Sequence, residues 1–422
     1  MTFESFASAQ SFFLWSTFVI ALIMGLVANK TNFCTMGAVS DWVNMGDTGR
    51  LRAWLFAIAI GVLGVMALEA AGMVDVTNTF PPYRQNQLVW AENLLGGLLF
   101  GIGMTLASGC GNKSLVRLGG GNIKSLMVVL IIATIAYFML NPFPGTDKTL
   151  FSALFYGWIR PLSTTLTTKQ DLGAMLFSPD KVALGRMVMG GIVGVLLLIF
   201  VFKSRDFRGS FDNILGGLVI GLAVLSAWYI TSNVMIHADA DTTVKIQKFA
   251  EDWDLLAKPG DVQPAQTGPL APQSFTFINP MGQALGYVSH GFDKTLLTFG
   301  IMAVAGVIFG SFLWSLISRK FRIEWFASFR DFVNHFIGAI LMGFGGVLGM
   351  GCTIGQGITG FSTLALGSIL TFVAIVLGSA LTMKIQYYKM VYEADATFFK
   401  AFVSSLVDLK LLPSGMRQLE AV

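Results

Sequence analysis

Three cysteines stand at similar positions after glycine-rich apolar segments. Cys34, Cys110 and Cys352 each precede a short stretch that contains polar residues, and a long apolar run follows each stretch. A thiol is a weak hydrogen-bond donor with a soft, polarisable sulfur, so it can hold an anion without a permanent charge inside a membrane. Three cysteines without a CxxC pair indicate neither a disulfide framework nor a zinc site. The pattern therefore favours loose binding of a small sulfur-containing anion.

The cysteines belong to a repeated motif. A shift of 242 residues, the separation of Cys110 and Cys352, aligns ENLLGGLLFGIGMTLASGCGNKS with NHFIGAILMGFGGVLGMGCTIGQ. A weaker copy without cysteine begins at Asn213, and in a fourth relative Gly25 stands nine residues before Cys34. The unit therefore occurs four times, three times with a cysteine. The residues aligned in the first two copies are Gly96 with Gly338, Gly101 with Gly343, Gly103 with Gly345, Gly109 with Gly351, and Cys110 with Cys352.

The composition predicts an all-α polytopic membrane protein. Of the 422 residues, 54% are hydrophobic and 12% are charged, against about 25% charged residues in soluble domains. The mean hydropathy is +0.68. Apolar runs approach or reach the length that a helix needs to cross a bilayer. They predict about nine spans, at residues 12–28, 53–73, 93–107, 125–140, 182–202, 213–231, 295–317, 335–350 and 367–387.

Charge between the runs predicts the orientation. The cations of the short loops fall on one side, which the positive-inside rule makes cytoplasmic. This places the N-terminus outside and the C-terminus inside a bacterial cytoplasmic (inner) membrane, with the first apolar run retained. The net charge of +4 then reflects topology and does not predict a nucleic-acid partner. The cations concerned are Arg50, Arg52, Lys113, Arg117, Lys124, Lys203, Arg205, Arg208, Arg319, Lys320, Arg322 and Arg330.

The repeat and the orientation together predict the domain organisation. Residues 1–422 form a single transmembrane transport domain, with a first half at 1–140 and a second, inverted half at 182–390. An extracytoplasmic loop insertion is expected at 232–292. Inverted repeats build transporters whose substrate site lies near the midplane, at short or glycine-interrupted helices. Each cysteine should therefore begin a short re-entrant half-helix, whose free N–H groups and dipole favour an anion.

Residues next to the cysteines complete the predicted site. Lys113 could draw an anion towards the inner side, although such cations commonly anchor topology. Gln356 could hydrogen-bond sulfonate oxygens or another helix. A lone cysteine is commonly a small buried hydrophobe and glycines commonly allow close helix packing, but three cysteines at one repeat position favour a function. No catalytic residue, metal ligand or cofactor is predicted. The predicted substrate-binding residues are Cys34, Cys110, Cys352, Gly109, Gly351, Lys113 and Gln356.

The motifs GMTLASGCGNKSLVRLGGG, GFGGVLGMGCTIGQGITGFS and NKTNFCTMGAVSDW resemble those of the YeeE/YedE (sulfur transport) family of bacterial inner-membrane proteins. The resemblance implies an hourglass-shaped inverted-repeat bundle that passes thiosulfate inward along cysteines near its constriction. By position, these would be Cys34, Cys110 and Cys352. The resemblance also implies an association with a small cytoplasmic sulfur-carrier protein, and relatives have been linked to selenium metabolism.

The expected function is uptake of a small sulfur-containing anion, with thiosulfate as the first choice and no enzymatic activity. Three alternatives stay open. The chain could transport a selenium compound or another sulfur compound. It could be a membrane-embedded thiol relay, which would need two cysteines able to approach each other. It could also be a structural partner of a respiratory complex, but that role gives no reason for the repeated cysteine.

Overall fold

The computed structural model describes residues 1–238, 242–259, 261–393 and 395–420. Within these residues, nine helices are long and apolar enough to cross a membrane, which confirms the predicted number of spans. In chain order, the α-helices are α1 (Phe6–Lys30), α2 (Thr35–Ser40), α3 (Gly49–Ala70), α4 (Trp90–Leu106), α5 (Gly111–Gly119), α6 (Ile123–Leu140), α7 (Gly157–Ile159), α8 (Leu172–Leu176), α9 (Val182–Phe202), α10 (Arg205–Gly209), α11 (Phe211–Ser232), α12 (Ile246–Glu251), α13 (Trp253–Leu256), α14 (Ile278–Ser289), α15 (Phe299–Ile317), α16 (Phe329–Leu348), α17 (Leu366–Val391) and α18 (Phe398–Asp408).

Short strands join the connections on one side of the bundle, called the loop face below. It comprises the N-terminus and residues 74–89, 141–178, 233–238, 242–259 and 261–277. β1 pairs in parallel with β4, β4 pairs antiparallel with β5, and β2 pairs antiparallel with β3. The Phe80 N–H also donates to the Pro272 carbonyl, so two of the connections are joined directly. The strands are β1 (Thr2–Phe3), β2 (Gln87–Leu88), β3 (Thr164–Thr165), β4 (Met235–His237) and β5 (Thr243–Lys245).

The opposite side, called the basic face, consists of the short connections at residues 120–122, 203–210 and 318–328 together with the end of α1. Ion pairs hold these connections together. Lys30 lies 3.5 Å from Asp212, at the start of α11. Lys124, at the start of α6, lies 3.0 Å from Asp331, at the start of α16. These ion pairs connect cations of this face to the starts of α11 and α16. That all the predicted cations lie on one side of the membrane stays a prediction.

Glycines allow the central helices to approach with almost no side chain between them. A Cβ on Gly103 would lie 2.6 Å from the Gly338 carbonyl oxygen, and a Cβ on Gly338 would lie 2.6 Å from the Gly103 carbonyl oxygen. Gly96 and Gly345 face each other in the same reciprocal way. These contacts cross α4 and α16 in antiparallel directions, and only glycine permits such a close approach.

The pairs of helices that contact each other in the bundle also correspond to one another. α1 packs on α15 as α11 packs on α3, and α4 packs on α17 as α16 packs on α6. A two-fold axis relating α4 to α16 would produce these pairings. They support the inverted repeat and its two halves, which stay a prediction.

A helix lies inside the segment 232–292, which was expected to be a loop insertion. Residues 239–241 and 260 of this segment lie outside the described residues. The segment contains β4, β5, α12 and α13, and then α14, which packs against α6 and α15 among the spanning helices. The helix α14, the helices α2 and α5, and the π-helix Gly355–Gly360 are called the half-helices below. The sequence interpretation had foreseen three of these four elements and missed α14.

Candidate functional site

The same chain reversal precedes each of the three cysteines. The residue two positions before each cysteine has a left-handed backbone: Asn32 with φ of 52°, Ser108 with φ of 57° and Met350 with φ of 54°. The residue directly before each cysteine donates its N–H to a carbonyl five residues earlier, which closes the long helix in a Schellman-type pattern. The cysteines therefore start new helices at equivalent points. The three hydrogen bonds are Phe33 to Ala28, Gly109 to Met104 and Gly351 to Gly346.

The thiols are free and buried at the N-termini of the half-helices. The Cys34 sulfur accepts the Gly37 N–H at 3.4 Å, and the Cys352 sulfur accepts the Gly355 N–H at 3.4 Å. Cys110 precedes α5 without a capping hydrogen bond. When a sulfur lone pair accepts a hydrogen bond from the helix, the S–H proton is left to donate elsewhere. Such a thiol can offer a hydrogen bond to an anion while it remains neutral.

The three cysteines form one group, called the cysteine layer below. Cys110 lies close enough to interact electrostatically with both Cys34 and Cys352. The Thr353 hydroxyl faces Cys110, and the Thr276 hydroxyl faces Cys352. The tertiary structure thus brings three thiols that are far apart in the chain into one neighbourhood, with Cys110 near the other two.

A cavity of about 760 Å³ opens on the basic face and approaches Cys110. Lys113 is 7% exposed at its wall, and its ammonium group donates a hydrogen bond to the Asn32 side chain in the reversal before Cys34. A Cβ on Gly109 would lie 3.2 Å from the Lys113 side chain, so the glycine leaves room for this lysine. The other cations lining the cavity are Arg117, Lys124, Arg319, Lys320 and Arg322.

A second cavity, of about 220 Å³, lies on the side of the loop face. Its lining includes Phe80 and Leu140 together with Thr276 and Gly351, which are both next to Cys352. The cysteine layer therefore lies between two cavities that approach from opposite faces. The loop-face cavity is lined mainly by apolar residues, whereas the basic-face cavity carries the cations.

Gln356 holds the chain reversal before Cys352. Its Nε2 donates to the Gly349 carbonyl at 2.6 Å, while its Oε1 has no hydrogen-bond partner among the described residues. A Cβ on Gly351 would lie 3.4 Å from the Gln356 side chain. The structure thus places both predicted residues beside Cys352. A direct contact of either with substrate stays a prediction.

Two residues of the loop face form hydrogen bonds to the segment that follows Cys352. The sequence interpretation had missed both residues. The Tyr83 hydroxyl donates to the Gly355 carbonyl at 3.0 Å. Burial raises the pKa of Tyr83, so its hydroxyl stays protonated and remains a donor. The Arg84 Nε donates to the Thr363 carbonyl at 2.9 Å. A fully buried pair at residues 83–84 thus holds the start of the half-helix and the turn that follows it.

Buried acidic groups balance the charge of Arg84, which the sequence shows as the single cation of its loop. Arg84 forms a bidentate pair with Glu69 and lies 4.0 Å from Asp171. Asp171 is fully buried and also binds Arg186 at 2.8 Å. Burial alone would raise the pKa of Asp171, but the hydrogen bond from Arg186 and the charge of Arg84 hold it below its usual value.

The described residues contain nine apolar helices that could span a membrane, irregular backbone buried inside the bundle, and polar groups between two cavities. These features define a multi-pass membrane transport protein. The chain belongs to the sulphur transport family, whose model matches residues 30–381. It is similar to the thiosulfate transporter TsuA of Escherichia coli (strain K12), with 24% identity over 81% of this chain and 86% of the relative. It is also similar to the thiosulfate transporter TsuA of Spirochaeta thermophila, with 21% identity over 87% of this chain and 97% of the relative.

Proposed function

We propose that the protein takes up thiosulfate, or a closely similar sulfur-containing anion, without changing it chemically. The observation that carries this proposal is the cysteine layer. Its three buried free thiols occupy equivalent positions on half-helices, between cavities that approach from opposite faces. The family match and the names of the two relatives support the choice of substrate class.

The proposed path runs from the loop face to Cys352, then to Cys110 and Cys34, and out through the basic-face cavity. Neutral thiols would donate weak hydrogen bonds to the anion, and the half-helix N-termini would add partial positive charge. Weak binding at successive positions allows release as well as entry. Lys113 and Arg117 would attract the anion from the layer into the wide basic cavity.

For the orientation, we propose that the basic face is cytoplasmic in a bacterial inner membrane. The positive-inside rule supports this choice, and it places the N-terminus outside and the C-terminus inside. Fusion of an enzymatic reporter to either terminus would test it: a reporter active only in the cytoplasm should work at the C-terminus. Anion leaving the basic cavity would then reach the proposed partner, a small cytoplasmic sulfur-carrier protein.

Uptake of radiolabelled thiosulfate into vesicles containing the purified protein would test the proposed function. Cys110→Ala and Cys352→Ala should abolish most of the uptake while the protein remains folded and abundant. Cys352→Ser should keep the helix cap and still transport poorly, because a hydroxyl lacks the soft sulfur. Val201→Ala is the control, since it removes buried volume on α9, which packs on α3 and α8 away from the layer. Normal uptake by both alanine variants would contradict the proposal. Labelled selenium analogues in the same assay would test the alternative substrates.

A thiol relay is the second candidate, because Cys110 lies near both other cysteines. Such a relay would form a disulfide that depends on substrate. Mass spectrometry of protein quenched during turnover would reveal a Cys110–Cys352 or Cys34–Cys110 disulfide. Thiols that stay free throughout turnover would support transport instead.

A further inference from the structure

Three threonine hydroxyls near the half-helix N-termini differ from the other buried threonines. Eleven threonines are buried in the part of the chain that the structure describes. Eight of these have a hydrogen-bonded hydroxyl, in most cases one that donates to a carbonyl in the preceding turn of a helix. The other three, Thr35, Thr276 and Thr353, form no well-aligned hydrogen bond within the described residues, although two of them lie near thiols.

Local structure explains why these hydroxyls have no partner. Thr35 and Thr353 directly follow Cys34 and Cys352, in the first helical turn, where no earlier turn supplies a carbonyl. Thr276 lies in extended chain two residues before α14. A buried hydroxyl without a partner destabilises a protein, so three of them around one group of thiols need a reason.

Two of these hydroxyls lie beside thiols. Thr353 is fully buried and faces Cys110, while Thr276 is 8% exposed and faces Cys352. A Cβ on Gly355 would collide with Thr276, so the glycine makes room for this hydroxyl. Thr276 also lines the loop-face cavity. Both hydroxyls therefore lie along the proposed path.

The correspondence between helix pairs gives Thr276 a position related to that of Cys34. α2 packs on α17 as α14 packs on α6, which is the correspondence that the predicted inverted repeat requires. Cys34 caps α2 beside Cys110, and Thr276 lies at the start of α14 beside Cys352. The half of the chain with the motif copy that lacks cysteine, which begins at Asn213, thus supplies a hydroxyl to the same central region.

Hydroxyls and thiols suit different ends of one anion. Thiosulfate carries a soft terminal sulfur and three hard sulfonate oxygens. A hydroxyl makes short, strong hydrogen bonds to anionic oxygen, whereas a thiol is a weak donor with a polarisable sulfur. We propose that Thr276 and Thr353 bind the oxygen atoms of the passing anion, while Cys352 and Cys110 contact its terminal sulfur. This inference rests on the proposed function and assigns its substrate a binding mode.

The test replaces each hydroxyl with a methyl group of similar size. Thr276→Val and Thr353→Val should each raise the KM for labelled thiosulfate in vesicles by about 10- to 100-fold, the effect of one hydrogen bond to a charged group. Thr276→Ser and Thr353→Ser should restore a nearly normal KM. Thr17→Val is the matched control, because the Thr17 hydroxyl is also buried but donates to the Phe13 carbonyl at 2.7 Å. Its KM should stay unchanged.

Thermal unfolding without substrate separates binding from a structural role. Thr276→Val and Thr353→Val should keep or raise the Tm, because valine removes a polar group that has no partner. An unchanged KM in both variants would overturn the inference, and so would a raised KM that serine fails to restore. Wild-type vesicles that take up no thiosulfate would overturn the proposed function together with this inference. Normal wild-type uptake with unaffected valine variants would overturn the inference alone.

Discussion

Replacement of Arg84 by methionine should destabilise the protein strongly, because the arginine lies in a buried network. Its side chain is 1% exposed and binds the Thr363 carbonyl and Glu69. Loss of the hydrogen bond to Thr363 leaves a buried acceptor without a partner, at about 1–3 kcal/mol. Glu69 is 17% exposed and keeps partial hydration, and Asp171 keeps Arg186. The total loss should therefore lie near the lower end of the 3–5 kcal/mol range for a broken buried pair, at about 3 kcal/mol.

Tryptophan fluorescence of the detergent-solubilised protein during denaturant unfolding would measure this loss. A change of about 3 kcal/mol lowers the folded-to-unfolded ratio by roughly 150-fold. The double variant Glu69→Gln with Arg84→Met should recover part of the stability, because it removes the unpaired carboxylate. Arg205→Met is the control at an exposed arginine, with an expected change within about 0.5 kcal/mol. If Arg84→Met unfolds at the same midpoint as this control, the assigned role of the network is wrong.

Three further substitutions test separate parts of the structure. Gly103→Val should reduce the folded yield several-fold on size-exclusion chromatography, because the new side chain meets a carbonyl of α16, whereas Gly157→Val meets nothing and should fold normally. Tyr83→Phe should lower the unfolding free energy by about 1 kcal/mol through loss of one buried hydrogen bond; an unchanged value would contradict this. Lys113→Met should raise the KM for uptake several-fold and weaken the dependence of the KM on ionic strength. Equal salt dependence in the wild type and the variant would show that Lys113 does not lie on the anion path.

The sequence alone determined the class of the protein and the identity of its unusual residues. Hydrophobic length is a local property, so the nine spans could be counted from the apolar runs. The charge of a connection is also a local property, so the cations of the short connections predict the two faces. The motif that ends in cysteine repeats within the chain, and its glycines and thiols could be found by alignment of the chain with itself. The equivalent reversals before the cysteines follow from that local similarity.

Only the tertiary structure decided which residues surround the thiols. The helix α14 has 12 residues, too few to span a bilayer, so hydropathy gave no reason to place it among the spanning helices. Thr276 reaches Cys352, and Tyr83 reaches the half-helix after Cys352, across large separations in the chain. Such contacts depend on how helices from distant segments pack together. Apolar periodicity reports only which residues avoid water and carries no information about their partners.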